Sequence, residues 1–334
     1  MSDVTKIVSD IKNGEIKPIY FLMGEEPYYI DKISEYIEKN VLSEEEKGFN
    51  QMVLYGRDVT IDDIVDNAKR FPMMAERQVV IVKEAQELFR TIENLIAYVK
   101  QPQPTTVLVL CYKYKKIDKR KALYKEIKKK GVVYESKKLY ENHVVDWIRK
   151  VLAGKKYKID TKATLMLVEF LGTDLSKISN ELNKLMLVLP KETTITPDAI
   201  EENIGISKDF NNFELRKAIG DRDVLKSNRI INHFAQNQKA NPLVMTISLL
   251  NSFFTQLLIY HSLKDKSKNS VSKSLGVHPF FVSDYTNAAR NYPMRKVSQV
   301  IGLLREADVK SKGVGANALP VGDILKELIF KIIH

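Results

Sequence analysis

Residues Ile19 to Met23 read IYFLM, an apolar strand, and Gly24-Glu25-Glu26-Pro27-Tyr28-Tyr29-Ile30-Asp31 leads from it into a helix running to about Asn40. Strand, glycine turn and helix is the layout of a phosphate-binding loop. Its nucleotide-binding form, G-x-x-x-x-G-K-[ST], wraps phosphates in backbone amides, neutralises them with the lysine and holds magnesium through the hydroxyl. Here Gly24 stands alone: Tyr29 falls at the second glycine, Ile30 at the lysine and Asp31 at the hydroxyl residue. Glu25 and Glu26 add negative charge where phosphates would lie. The third strand candidate, Val79 to Val82, ends in Lys83-Glu84, where a magnesium site would need an acidic pair. The two absences agree, so the topology predicts no nucleotide binding and no cofactor. His143, His233, His261, His278 and His334 are scattered without ligand spacing, and no nucleophile motif accompanies them. Neither a catalytic constellation nor a metal site is expected.

A second kind of chemistry is suggested by charge. Lys and Arg outnumber Asp and Glu by 53 to 42, a net charge of +11 with pI near 9.3, which makes an anionic partner such as nucleic acid a candidate. The excess concentrates in Lys113, Lys115, Lys116, Lys119, Arg120, Lys121, Lys128, Lys129 and Lys130, with Tyr112, Tyr114 and Tyr124 interleaved. Lysines neutralise phosphates and tyrosines stack on bases, so the cluster reads either as a nucleic-acid surface or as a solvated helix face. Lys310 and Lys312 form a smaller candidate.

The elements that position these residues follow from periodicity. Strand candidates at Ile19 to Met23, Met52 to Tyr55, Val79 to Val82, Val107 to Cys111 and Val132 to Tyr134 alternate with amphipathic stretches at about Ile61 to Arg70, Phe89 to Gln101 and Lys119 to Lys130. That alternation predicts a parallel sheet covered on both faces, in an α/β domain over residues 1–140. From Glu141 no strand is expected. Helices over Asn142 to Ala153, Lys162 to Leu171, Leu175 to Met186 and from Pro197 make a small helical domain, 141–209, and a larger all-α domain fills 210–334. Pro242 to Leu263 is long enough to span a bilayer, but Asn251 and Gln256 interrupt it, so it reads as a buried helix. With Cys111 as the single cysteine and no targeting segment ahead of the first domain, a reducing cytoplasm and no membrane partner are expected.

One corner breaks the pattern. Thr60 and Asp63 form a capping box for the helix bearing Ile61, Ile64, Val65 and Ala68, and Pro72 forces Phe71 out of helical geometry. Between helix and strand lies Phe71-Pro72-Met73-Met74, three large apolar side chains where a loop is normally polar. Either they fold back as core, or they form an exposed plug for a partner, with flexible thioethers suited to an adaptable pocket.

Six stretches carry a family resemblance: PIYFLMGEEPYYIDKI (Pro18 to Ile33), RFPMMAERQVVIVKEA (Arg70 to Ala85), SNELNKL (Ser179 to Leu185), NNFELRKAI (Asn211 to Ile219), SLGVHPFFV (Ser274 to Val282) and LREADVKSKG (Leu304 to Gly313). In this order the chain resembles the delta subunits of bacterial DNA polymerase III clamp loaders. The resemblance implies an AAA+-like architecture: a RecA-type α/β module, a small helical lid and a helical collar that joins five loader subunits. It also implies a non-ATPase, non-catalytic subunit of a DNA-directed DNA polymerase holoenzyme that binds the ring-shaped beta sliding clamp and favours its open form for loading on primed DNA. Gamma/tau and delta-prime subunits would complete the hetero-pentamer. The family's clamp-binding hydrophobic pair falls on Met73 and Met74, with Phe71 beside it, where many members have a leucine and an aromatic residue. Its DNA contacts are not carried over, and the lysines above are candidates from charge. Two other readings are an active AAA+ ATPase, which would bind nucleotide, and a stand-alone, sequence-neutral DNA-binding protein, for which the apolar corner has no role.

Overall fold

A computed structural model describes residues 2–314 and 319–334. The chain separates into two compact units, Met1–Tyr140 and Glu141–His334. The first contains α1 (Ser2–Lys12), β1 (Ile19–Gly24), α2 (Pro27–Asn40), α3 (Glu44–Asn50), β2 (Gln51–Tyr55), α4 (Ile61–Ala68), β3 (Gln78–Lys83), α5 (Ile96–Lys100), β4 (Thr106–Lys113), α6 (Ala122–Lys130) and β5 (Val132–Ser136). Among the described residues β1 to β5 form one parallel sheet in the order β2-β3-β4-β1-β5.

Strands β1, β3 and β4 are buried along both faces, which is why they read as unbroken apolar runs rather than alternating ones. Their side chains still divide by the two-residue period. Phe21, Met23, Val80 and Val82 join a core with Ile61 and Ile64 of α4, Val99 of α5 and Ile127 of α6. Tyr20, Leu22, Val79 and Ile81 join a second core with Ile7 of α1 and Ile30, Ile33 and Ile37 of α2. Cys111 lies in the second core, where burial pushes its thiol up to about 11 and makes it unreactive.

Three expectations for this unit need correction. Residues Phe89 to Gln101 are not one helix: 3-10 turns at Ala85–Leu88 and Ile92–Leu95 precede α5. Ile92, Leu95 and Tyr98 are buried at three-residue spacing, the period of a 3-10 helix. The helix expected from Lys119 begins at Ala122, so Lys119, Arg120 and Lys121 precede it. Helices α1 and α3 were not expected.

The second unit is helical: α7 (Glu141–Ala153), β6 (Lys158–Ile159), α8 (Thr161–Leu171), α9 (Leu175–Val188), β7 (Thr194–Ile195), α10 (Pro197–Ile204), α11 (Asn212–Gly220), α12 (Val224–Gln236), α13 (Leu243–Ser262), α14 (Lys268–Leu275), α15 (Val282–Asn291), α16 (Met294–Ser311) and α17 (Val321–Ile333). The expectation of no strand is corrected by the two-residue parallel pair β6–β7, too short to leave a periodic signal. Helix α13 is the one described helix long and apolar enough to cross a membrane, but Thr246, Leu250, Phe253, Phe254 and Leu257 are buried in the core. Tyr292 Oη donates to Ile219 O at 2.9 Å and Asn291 Nδ2 to Gly220 O at 2.9 Å, tying the end of α15 to α11. Gly322 lets α17 lie against α12, since a Cβ there would stand 2.9 Å from the Ala235 Cβ. Buried Glu214 of α11 pairs with Lys162 of α8 at 2.7 Å and with Lys226 of α12.

Glu169, in the last turn of α8, is pushed up to about 7 by burial, against the nearby charge of Arg216. Between its unfolded value near 4.5 and about 7, the folded state holds a proton that the unfolded state lacks, so this group's contribution to stability falls as pH rises through that window. Glu169→Gln is expected to melt about 5 °C above the parent at pH 8.5, a gain of about 2 kcal/mol, and level with it near pH 4.5. Calorimetry at the two pH values checks this, and an equal shift at both would refute it.

Candidate functional site

The crevice beyond the carboxyl ends of the strands is where open α/β sheets normally take ligands. Here the chain's own groups occupy its donors. Gly24 has φ +132°, and a Cβ there would lie 2.0 Å from Ser136 O, so only glycine permits this approach of β1 to β5. The approach engages the amides: Gly24 N–H donates to Lys115 O at 3.1 Å and Glu25 N–H to Ser136 O at 3.0 Å. At the start of α2 the buried Glu26 carboxylate accepts from Tyr28 N–H at 3.0 Å, placing an anion at the helix N-terminus. Tyr29 and Ile30 follow in the first turn of α2, with Ile30 fully buried.

The cation in the crevice is Lys113, at the end of β4. Its ammonium is 2.8 Å from Asp31 and 3.3 Å from Glu84, and its side chain is 14% exposed. Burial alone would lower its pKa, but the hydrogen bond and charge of Asp31, and then Glu84, hold it above the ordinary lysine value. Glu84 is correspondingly held down, against burial, by Gln86 and Lys113. Lys83 pairs with Glu38 at 3.3 Å. The Asp31 position, where a phosphate loop would hold magnesium, therefore serves an internal ion pair.

At the opposite end of β3 the apolar corner is exposed. Phe71 is 77%, Met73 61% and Met74 103% accessible, which removes the core alternative for all three. The Thr60–Asp63 capping box is present: Asp63 N–H donates to Thr60 Oγ1 at 3.2 Å and Thr60 N–H to Asp63 Oδ2 at 2.8 Å. Helix α4 then ends at Ala68, where its last carbonyls find acceptor-seeking partners from the sheet. Thr106 Oγ1 donates to Ala68 O at 2.8 Å, and Gln78 Nε2 donates to Arg70 O at 2.6 Å and Thr106 Oγ1 at 2.8 Å. From the other side Asn50, buried at the end of α3, grips the backbone of Met73: its Oδ1 accepts from Met73 N–H at 2.6 Å and its Nδ2 donates to Met73 O at 2.9 Å. The next residue, Met74, has φ +53°, a left-handed conformation rare without glycine. Backbone fixed by side chains beneath, apolar groups in solvent above: the corner is preorganised to present them.

Sequence reasoning missed Asn50 and Gln78, which hold the corner, and Phe49, 78% exposed beside Asn50. The signal for α3 was the Ser43–Glu46 capping box, which is present.

Most of the basic candidates are engaged within the protein. Besides Lys113, Lys116 pairs with Glu25 and Glu135 at 3.1 Å each, Lys119 with Glu135 at 2.6 Å, Arg120 with Asp118 at 2.7 Å, Lys121 with Glu93 at 3.2 Å and Lys129 with Glu126 at 2.7 Å. Lys115 stands 4.1 Å over the Phe89 ring. In the second unit Lys310 pairs with Glu327 at 3.2 Å and Lys312 with Asp308 at 2.6 Å. Lys128 and Lys130 on α6 are exposed and make no ion pair among the described residues, as does Lys125, which charge reading passed over. The density of like charge is thus compensated locally rather than left as one open surface.

An α/β module with a strand–turn–helix of phosphate-loop topology and an apolar corner on its third strand, followed by a helical unit, defines the class. The family model for the DNA polymerase III delta subunit matches residues 20–137, and that for its C-terminal domain matches residues 209–320. The chain belongs to the DNA polymerase III delta subunit family. It is 28% identical over 319 residues to DNA polymerase III subunit delta of Bacillus subtilis (strain 168), covering 92% of each chain. The solved structure of the Bacillus subtilis DNA clamp loader delta protein superimposes with a TM-score of 0.58 at 26% identity, over 99% of both chains.

Asn50→Ala removes both bonds to Met73, and amide exchange at Met73 is expected to accelerate roughly tenfold or more, with a loss of about 1–3 kcal/mol in stability. Exchange at Met73 unchanged in the alanine variant would show that the latch does not hold the corner.

Proposed function

We propose that this chain is a clamp-loader subunit that binds a ring-shaped sliding clamp through Phe71, Met73 and Met74 and favours the open ring, without binding or hydrolysing ATP itself. The observation that carries this reading is the exposed, backbone-latched apolar corner at the start of β3, which has no role in the core of its own unit. The non-ATPase part is supported by the engaged Gly24 and Glu25 amides and by the Lys113–Asp31–Glu84 pair, which leave a phosphate few donors in the crevice. In this reading the chain works in the cytoplasm within a hetero-pentamer with gamma/tau and delta-prime subunits. Residues 1–140 contact the clamp, 141–209 serve as lid and 210–334 as collar.

Two buried methionines are worth roughly 1.5–3 kcal/mol each, against about 8 kcal/mol for micromolar affinity. Phe71 and surrounding polar contacts must therefore contribute. The energy for ring opening comes from binding the open ring better than the closed one.

The test is binding of the purified chain to the sliding clamp of its own species, beside a Met73→Ser, Met74→Ser double variant with unchanged melting. Tight binding by the parent and a loss of roughly tenfold or more in the variant is expected. Equal binding by both moves the contact elsewhere, and no binding by either removes the clamp-opening role.

For primed DNA, the exposed Lys128 and Lys130, with Lys129 between them, carry the proposal; surface pairs such as Lys129–Glu126 are weak enough to exchange for phosphate. Replacing the three by Gln in the assembled loader should make the salt slope of DNA affinity shallower by about 2–3. An unchanged slope would exclude α6 from the DNA path.

A further inference from the structure

The helical unit contains a cavity of about 330 Å³ that the proposed clamp contact does not use. It opens among α7, α8, α11, α13 and α15, and its walls are largely apolar: Val168, Leu250, Phe253 and Phe281 are representative. Its size falls at the lower end of small-molecule sites.

Arg216 is the one lysine or arginine in the lining. Its guanidinium stands 4.7 Å from the centre of the Phe281 ring, 5.3 Å from Phe213 and 5.8 Å from Phe253. Stacking on ring faces leaves the N–H edge of the planar fork available in its own plane. Among the described residues that edge makes no ion pair or hydrogen bond within the protein. The neighbouring acids do not neutralise it at close range: burial holds both Glu169 and Asp284 above the usual carboxylate range although Arg216 pulls them down. His278, also in the lining, is held below its ordinary value, first by burial and then by Arg149, so it adds no cation at neutral pH. A cation that makes no direct ion pair among the described residues thus lies among the aromatic rings of the cavity.

We propose that this cavity binds a small organic monoanion with an apolar body, its carboxylate or sulfonate held by the edge of Arg216 and its body lying among Val168, Leu250, Phe253 and Phe281. One negative charge fits better than two. Glu141 is also in the lining, so a dianion such as phosphate meets repulsion and carries a second charge that the single Arg216 does not offset. The aromatic walls favour a flat body.

The test titrates 8-anilinonaphthalene-1-sulfonate into the full-length chain, read by fluorescence, alongside Arg216→Met, which keeps an unbranched side chain and removes the charge. Saturable one-to-one binding is expected, weakened about tenfold or more in Arg216→Met, while the neutral analogue N-phenyl-1-naphthylamine binds both proteins alike. The Met73→Ser, Met74→Ser variant should bind the sulfonate as the parent does, which separates this site from the apolar corner. A variant-free arm guards against misfolding of Arg216→Met: 1-naphthoate should displace the sulfonate from the parent, and 1-naphthalenemethanol at the same concentration should not. Unchanged affinity in a folded Arg216→Met, equal displacement by the alcohol, or loss of the signal in the corner variant would each overturn the proposal.

Discussion

Strand β3 is the constraint on which the first unit depends. It is six residues long and buried on both faces from Val79 to Val82, so its register cannot slip by one residue without sending every side chain into the wrong core layer. Its two ends are therefore fixed about 17 Å apart. At the first end Gln78 sits opposite Thr106 of β4, and these two side chains capture the closing carbonyls of α4 and the Arg70 carbonyl beyond it. At the other end Lys83 and Glu84 enter the ion pairs of the crevice. One strand thus anchors the exposed corner below and the filled crevice above.

The crevice shows how a phosphate-loop topology becomes a structural element. Lys113, Asp31 and Glu84 come from the ends of two neighbouring strands and from the helix after β1, so their attraction closes the region that a nucleotide and its metal would otherwise bridge. Removing Lys113 would leave the Asp31 and Glu84 carboxylates facing each other, a penalty of about 1–2 kcal/mol because both are more than a third exposed. In the proposed loader role this suits a subunit whose shape is not set by its own nucleotide. Any response to ATP would then have to arrive from neighbouring subunits.

The α/β-plus-helical organisation was legible because burial on both faces forces β1, β3 and β4 into apolar runs, and because helices on either side leave amphipathic stretches between them. The corner was legible as an anomaly, three large apolar residues on a proline-stiffened loop, but not its exposure. Exposure was decided by Asn50 and Gln78, and Asn50 lies 23 residues from Met73 in a helix whose sequence, EEEKGFN, has no apolar stripe. The fate of the lysines was hidden for the same reason: Lys113 finds Asp31, and Lys116 finds Glu25, across more than 80 residues of chain. The cavity was out of reach as well, since its lining comes from five helices and shows only once they pack.

The latch bears on how methionines would serve in the proposed contact. A methionine loses roughly 1.5–2 kcal/mol of rotamer freedom on burial, which erodes much of what its transfer from water contributes. An unlatched loop would lose backbone freedom as well, about 1–2 kcal/mol for each residue ordered. Here Asn50 has already fixed Met73, and Met74 already occupies its left-handed conformation before any partner arrives. Side-chain ordering is then the main entropic loss left at contact. In the proposed contact the methionine side chains would adapt their shape to a pocket, while the position from which they are offered is set by the sheet and by Asn50.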